Sequence, residues 1–295
     1  MLGSMLVDDL SRNANFKVSA TVRNTMLAKK CKEKIAGVNW LIFDANAPDA
    51  EKALKVIDGH EWVINAIGIT KPLIHDDNAF EVERAVRINS FLPHELARKA
   101  ASAGARVIQI ATDCVYSGRK GNYTESDEFD ALDVYGKTKS LGEVYAPGFF
   151  NLRCSIIGPE PKEHKFLLDW FLGQPKNAKV SGYTNHLWNG VTTLHFSRLC
   201  GGIISKSLDL PHVQHAIPSG DITKCDMLRE FAGSFHRKDI SITPVIAPKI
   251  IDRTLKTNNE PLNLSIWTAA GYNKPPTVPE MVAEQATFDY RLAGL

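Results

Sequence analysis

Nearly continuous apolar, β-branched runs recur through the first half of the chain, at Lys17–Val22, Asn39–Phe43, Trp62–Ile67, Arg106–Ala111 and Phe149–Ile157. Short runs without strict alternation suit strands covered on both faces. Between them the apolar spacing turns helical. Met5–Arg12 is apolar on one side, and Thr25–Ala36 carries Lys and Cys around Leu27 and Ile35. Pro48–Ile57 opens on a first-turn proline and places Ala50, Ala53, Leu54 and Ile57 on one stripe. Asp77–Ala103 is long, and Pro93 inside it predicts a kink or a break. Val134–Tyr145 follows Asp133, a good N-cap. The alternation predicts an α/β fold, a doubly wound parallel sheet with helices on both faces.

Beyond about residue 156 the rhythm degrades. Gly and Pro become frequent (Gly158, Pro159, Pro161, Gly173, Pro175), and a last helical stretch is predicted at Pro279–Thr287. The expected organisation is a dinucleotide-binding domain over 1–155, with a return segment near 186–206, and a smaller α+β substrate region over 156–295. Composition narrows the class. A net charge of +2 with 44% hydrophobic residues excludes a disordered chain, a coiled coil and a polybasic nucleic-acid binder. No window is apolar enough for a membrane span. Cysteines 31, 114, 154, 200 and 225 are scattered, without a CxxC pair. Reduced thiols in a cytoplasmic protein are expected, with no metal site.

Four sets of residues could carry chemistry. Tyr and Lys four apart share a helix face, so an ammonium can sit near a phenol, lower its pKa and still reach a ligand. Two pairs have that spacing, Tyr116–Lys120 and Tyr135–Lys139. Ser117-Gly118 is a turn signal that separates the first pair, whereas Tyr135 lies in the helix after Asp133. A half-buried aromatic anchoring that helix is the plain alternative. Thr112-Asp113-Cys114 closes the run Arg106–Ala111, at the carboxyl end of a strand where wound sheets bind ligands. The same pair would also serve simply to cap the turn. Asn65-Ala66-Ile67-Gly68 ends another strand, and Asn89 sits in the long helix, an unusual place for it. Counting about 20 residues from Gly3 reaches Arg23, directly after a strand, with no acidic residue there. An Arg at that position accommodates a 2′-phosphate and favours NADP over NAD, with a surface arginine in a loop as the alternative.

In order, these pieces resemble the extended short-chain dehydrogenase/reductase family, and within it the dTDP-4-dehydrorhamnose reductase branch. The resemblance runs from MLGSMLVDDL through VINAIG, INSFLPHELARKA and ATDCVYSGRKGNYTESDEFDALDVYGKTKSLGE to NLRCSIIG, GYTNHLWNGVTTL and DRTLKTNN. It implies a Rossmann-type fold in which Tyr135 is the catalytic tyrosine and Lys139 its lysine. Thr112 then holds the substrate carbonyl, and Asn89 belongs to a lysine–water relay. Gly3, Arg23, Asp44, Ala66, Gly68 and Lys139 are the implied cofactor contacts. Asp113, Cys114, Trp188 and Asn189 are the implied substrate contacts.

Thr-Asp is the reductase-like choice here, since the related dehydratases carry Thr-Asp-Glu where this chain has Cys114. The implied reaction is NADPH-dependent reduction of a 4-keto-6-deoxy nucleotide sugar. A homodimer is left open. Two other readings also stay open: a non-catalytic NADP-binding subunit, like the regulatory subunit of methionine adenosyltransferase, and a nucleotide-sugar epimerase. The family begins with a strand and a G-x-x-G-x-x-G turn, of which Gly3 is the last glycine. The expectation is that Met1 is internal to a longer protein, with about ten residues, one central strand and its turn, ahead of it.

Overall fold

A computed structural model of the chain describes residues 1–47, 49–162 and 164–294. Pro48, the expected first helical residue of its stretch, lies outside the described residues. The first half runs α1 (Leu2–Leu10), β1 (Ser19–Val22), α2 (Thr25–Lys34), β2 (Asn39–Ile42), α3 (Ala50–Ala53) and β3 (Trp62–Asn65). It continues through α4 (Ala79–Ala85), α5 (Leu92–Ala103), β4 (Arg106–Ile110), α6 (Val134–Leu141) and β5 (Phe149–Arg153). Then follow β6 (Ile156–Ile157), α7 (Leu167–Leu172), β7 (Lys179–Tyr183), β8 (Leu187–Trp188), β9 (Val191–Thr192), α8 (Thr193–Ser205) and β10 (Val213–His215). The chain ends with β11 (Ile222–Thr223), α9 (Lys224–Ser234), β12 (Ser241–Val245), α10 (Glu260–Ala269) and α11 (Val278–Thr287).

The central sheet is parallel throughout, in the order β10-β5-β4-β3. Neighbouring residues on its inner strands serve opposite cores. Val107 and Phe149 pack under α5 with Leu92, Leu96 and Ala100, whereas Ile108 and Phe150 join Leu2, Leu6, Phe196 and Leu199 on the other face. Covering both faces removes the need for a polar side, which is why these strands read as continuous apolar runs. β1 and β2 form a separate parallel pair. Among the described residues that pair is not hydrogen-bonded to β3, which edges the main sheet.

The expected break in the long helix is found, and two other elements are redrawn. The long helix breaks before Pro93: a π-helical turn, Val86–Phe91, separates α4 from α5, and Pro93 falls in the first turn of α5, where its missing N–H is no loss. The last expected strand of the first half stops at Arg153, and Ile156–Ile157 pairs instead with β9. The helix after Asp133 ends at Leu141 rather than Tyr145. Gly142 there lies so close to Asn89 that a Cβ would stand 1.9 Å from its carbonyl oxygen. The return to the first domain also extends past 206, because β10 pairs with β5. Beyond the sheet, β7 pairs with β12 and β8 with β11 to build the smaller lobe.

Candidate active site

All four strands of the central sheet present their carboxyl ends to one edge, and Thr112 stands just past the end of β4. It makes the turn-capping contact expected of it. Its hydroxyl accepts the Cys114 N–H at 3.2 Å, capping a single 3₁₀ turn, and donates to Asp113 Oδ1 at 3.2 Å. The other half of the site comes from α6. Asp133 caps that helix, its carboxylate accepting from Gly136 N at 2.8 Å while pairing with Lys71 at 2.6 Å. Gly136 lets the helix start press against the β4 loop. A Cβ there would meet the Cys114 carbonyl at 2.4 Å and Ala131 at 2.3 Å. This close approach seats the Tyr135 phenol beside Thr112, Asp113 and Cys114. Tyr116, the tyrosine of the other pair, is fully buried elsewhere, its hydroxyl donating to the Thr124 carbonyl at 2.8 Å.

The electrostatics correct one expectation. Burial pushes the Tyr135 phenol well above its ordinary value, with Cys114, Asp113 and Asp133 adding to the rise and a Thr112 hydrogen bond opposing it. Lys139 shares its helix face but turns its ammonium to the Ile110 carbonyl, at 2.7 Å. Burial brings that ammonium down to about 8, while Glu143 pulls the other way. Asp113 is raised by burial and eased by Arg253, and burial pushes the Cys114 thiol up to about 12. A protonated phenol and thiol next to a hydroxyl form a proton-donating surface.

Asn89 is placed close by, with its side chain bonded to the Ile69 backbone and to Thr138. Its amide bonds both the N–H and the C=O of Ile69, at 2.8 and 2.9 Å, and donates to Thr138 Oγ1 at 3.2 Å. Gly68 makes room for it, since a Cβ there would touch Asn89 Oδ1 at 3.4 Å. Asn89 thus pins the loop after β3 to α6. Asn189 is spent in the same way, both ends of its amide bonding Leu255. Trp188 is buried, with its indole N–H on Ser155 Oγ at 2.8 Å.

Of the expected dinucleotide contacts, Gly3 lies on α1 with its Cα hydrogen side facing Ala66; a Cβ there would be 3.5 Å from the Ala66 methyl. Arg23 is exposed just after β1, and Asp44 closes an Asx turn on Asn46 just after β2. The first turn of α1 has no side-chain cap. These features fit a dinucleotide with a phosphate near Arg23. Sequence reasoning missed three cations around the site: Lys71, Lys224 and Arg253. Arg253 donates through Nε to the Tyr116 carbonyl at 2.8 Å. Gly136, next to Tyr135, was a readable signal of close approach, whereas Lys224 and Arg253 arrive from distant segments that no local pattern marks.

A parallel sheet with this tyrosine, lysine and threonine at its carboxyl edge defines an α/β protein of the extended short-chain dehydrogenase/reductase class. Within that class the chain belongs to the family described as RmlD substrate binding domain, whose profile matches residues 1–153. It is 41% identical over 180 residues to methionine adenosyltransferase 2 subunit beta of Rattus norvegicus, covering 56% of this chain and 54% of that protein. It is 32% identical over 97 residues to a dTDP-4-dehydrorhamnose reductase of Mycolicibacterium smegmatis, covering 32% of this chain and 29% of the relative. The matched regions therefore span about half or less of these relatives. A dTDP-4-dehydrorhamnose reductase of Bacillus anthracis, solved in complex with NADP, has the same fold. Its TM-score is 0.68 at 17% identity, over 90% of this chain and 97% of that one.

Proposed function

We propose that this chain carries the machinery for NADPH-dependent reduction of a 4-keto nucleotide sugar, of the 4-keto-6-deoxy kind. The observation that carries this reading is the seating of the Tyr135 phenol beside Thr112 at the carboxyl end of β4. NADPH, when bound, supplies the hydride. The residues that would hold it are Gly3, Ala66 and Gly68 along the pyrophosphate, Arg23 at the 2′-phosphate, Asp44 on the adenosine side and Lys139 at the nicotinamide ribose. The substrate C4 oxygen rests between Thr112 and Tyr135. Thr112 orients it by hydrogen bonding, and Tyr135 gives its phenolic proton to the developing alkoxide. A phenol held protonated by burial is primed as the donor. Lys139 stabilises the phenolate that forms once its ammonium swings from the Ile110 carbonyl. Asp113, Cys114 and Trp188 line the sugar side.

The test is NADPH oxidation by the full chain against a panel of 4-keto nucleotide sugars, wild type beside Tyr135→Phe. The expected loss is about 10²–10⁴-fold in kcat, the usual contribution of a positioned general acid. Near wild-type turnover by the variant overturns the acid assignment. The match to the methionine adenosyltransferase subunit favours a second reading, a dinucleotide-binding subunit without turnover. Tight NADP binding with no oxidation of NADPH against any of the sugars would select it.

A further inference from the structure

Lys224 begins α9, and three contacts fix where it stands. Its N–H donates to the His186 carbonyl at 2.9 Å, Thr223 caps the helix before it, and the β8–β11 pairing sets Ile222 against Trp188. Its side chain lies over the indole of Trp188, with Nζ 5.3 Å from the ring centre. Its charge also interacts with those of Asp113 and Cys114, the two residues after Thr112. Among the described residues its ammonium has no hydrogen-bond acceptor and no ion-pair partner.

A desolvated ammonium over an aromatic face recovers only part of its lost hydration. The local balance of charge says what would supply the rest. Asp133 is neutralised by Lys71, and Glu143 by Arg153. Two cations, Lys224 and Arg253, are then left acting on the carboxylate of Asp113. Even with Asp113 ionised, this group carries one more positive charge than negative.

We infer that Lys224, held over Trp188 beside Asp113, is a recognition residue for an oxyanion of the nucleotide sugar, with Arg253 as the second cation of that subsite. The inference rests on the proposed reading that this pocket takes a nucleotide sugar. The oxyanion is a diphosphate oxygen or a carboxylate on the hexose, and the probes below separate the two. Recognition requires the charged amine. Burial brings Lys224 down to about 8, against the pull of Asp113 and then Cys114. The other groups near the subsite are Tyr135 on α6 and Arg253, while Asp226 on its own helix is turned to Thr223 and Arg229. The amine is protonated below that value and neutral above it, so anion affinity falls as pH rises through about 8.

Calorimetric titration of the full chain with UDP, UDP-glucose and UDP-glucuronate tests this. Wild type should lose about tenfold in affinity between roughly pH 6.5 and 9. Lys224→Met should already be weaker by about that factor at the lower pH. Lys224→Arg, which keeps its charge, should bind and lose the pH-dependent fall. A Lys224-dependent profile with UDP alone identifies the diphosphate; one confined to UDP-glucuronate identifies a hexose carboxylate. Binding by Lys224→Met within twofold of wild type overturns the inference, as does a fall in Lys224→Arg as steep as in wild type. If Lys224→Met does not fold, the arginine variant decides. Binding that ignores Lys224 leaves the proposed function standing, and no binding by wild type at any pH overturns the inference while the turnover assay decides the proposed function.

Discussion

Arg153, the last residue of β5, donates through Nε and Nη2 to both carboxylate oxygens of Glu143, at 2.7 and 2.6 Å, with both side chains almost wholly buried. Its remaining nitrogen reaches the Tyr116 hydroxyl at 2.7 Å and His215 Nε2 at 3.2 Å. His215 Nδ1 lies 2.6 Å from the Lys256 carbonyl, so the ring carries its hydrogen there and accepts from Arg153 with the other nitrogen. A second proton would face a guanidinium. Burial, with Arg153 adding to it, brings His215 down to about 4 despite the nearby Glu125. Glu125, which burial alone would raise, is held below its usual range by His215, Thr257 and two backbone N–H groups.

Between about pH 6.5 and 4 the unfolded chain binds the His215 proton and the folded chain does not. Stability therefore falls as pH drops through that window, and Glu125 acts in the same direction at its lower end. Urea midpoints measured from pH 7 to 4.5 should decline, and His215→Gln should flatten the decline. An unchanged slope in the variant would remove this histidine from the account. None of this was legible locally, because Glu143, Arg153, His215 and Lys256 meet only once three elements and a late segment have packed.

The elements show how far local chemistry reaches. Asp133 capping α6 and the break near Pro93 follow from side-chain type and position alone. The end of α6 does not, since Gly142 ends up against a carbonyl of another helix. The turn between β8 and β9 is a similar case. A Cβ on Gly190 would stand 2.2 Å from the Ser155 carbonyl and 2.4 Å from the Trp188 ring, so the glycine is what lets the indole pack against this turn. Gly190→Ala should cost about 1–3 kcal/mol through overpacking. Displacing Trp188 should also raise KM for the sugar substrate by more than it lowers kcat. A melting curve and steady-state kinetics check the two parts, and an unchanged KM would show that the indole does not meet substrate.

At the scale of the whole molecule, the β1–β2 pair is joined to the rest, among the described residues, through side chains rather than through a shared sheet. Ala20, Ile35 and Val38 pack with Leu292, and half-buried Val7 and Tyr290 close the cluster. The same tail grips α1. Arg291 donates from its backbone N–H to Asp8 Oδ2 at 2.6 Å and from Nε to Asp8 Oδ1 at 2.7 Å, and Tyr290 reaches Ser4 at 2.6 Å. Asp8 is fully buried, though Arg12 also pairs with it. Arg291→Ala should therefore cost about 1.5–3 kcal/mol, the range for a hydrogen bond to a charged group. Hydrogen exchange should rise in peptides covering β1, α2 and β2 while β4 and β5 keep their protection. A uniform rise would mean that the tail does not act on this unit in particular.

The sequence by itself determined the doubly wound sheet, since apolar period and turn chemistry are local properties of a strand covered on both faces. A strand end and a capped helix start mark Thr112 and Tyr135 separately, and only the family resemblance implies that they belong to one site. Tertiary structure decided what surrounds them. It turned Lys139 toward Ile110 and committed Asn89 and Asn189 to backbone clamps. It carried Lys224 and Arg253 in beside Asp113 as well. Burial and long-range charge act only between groups that folding has brought together, and no spacing along the chain encodes them.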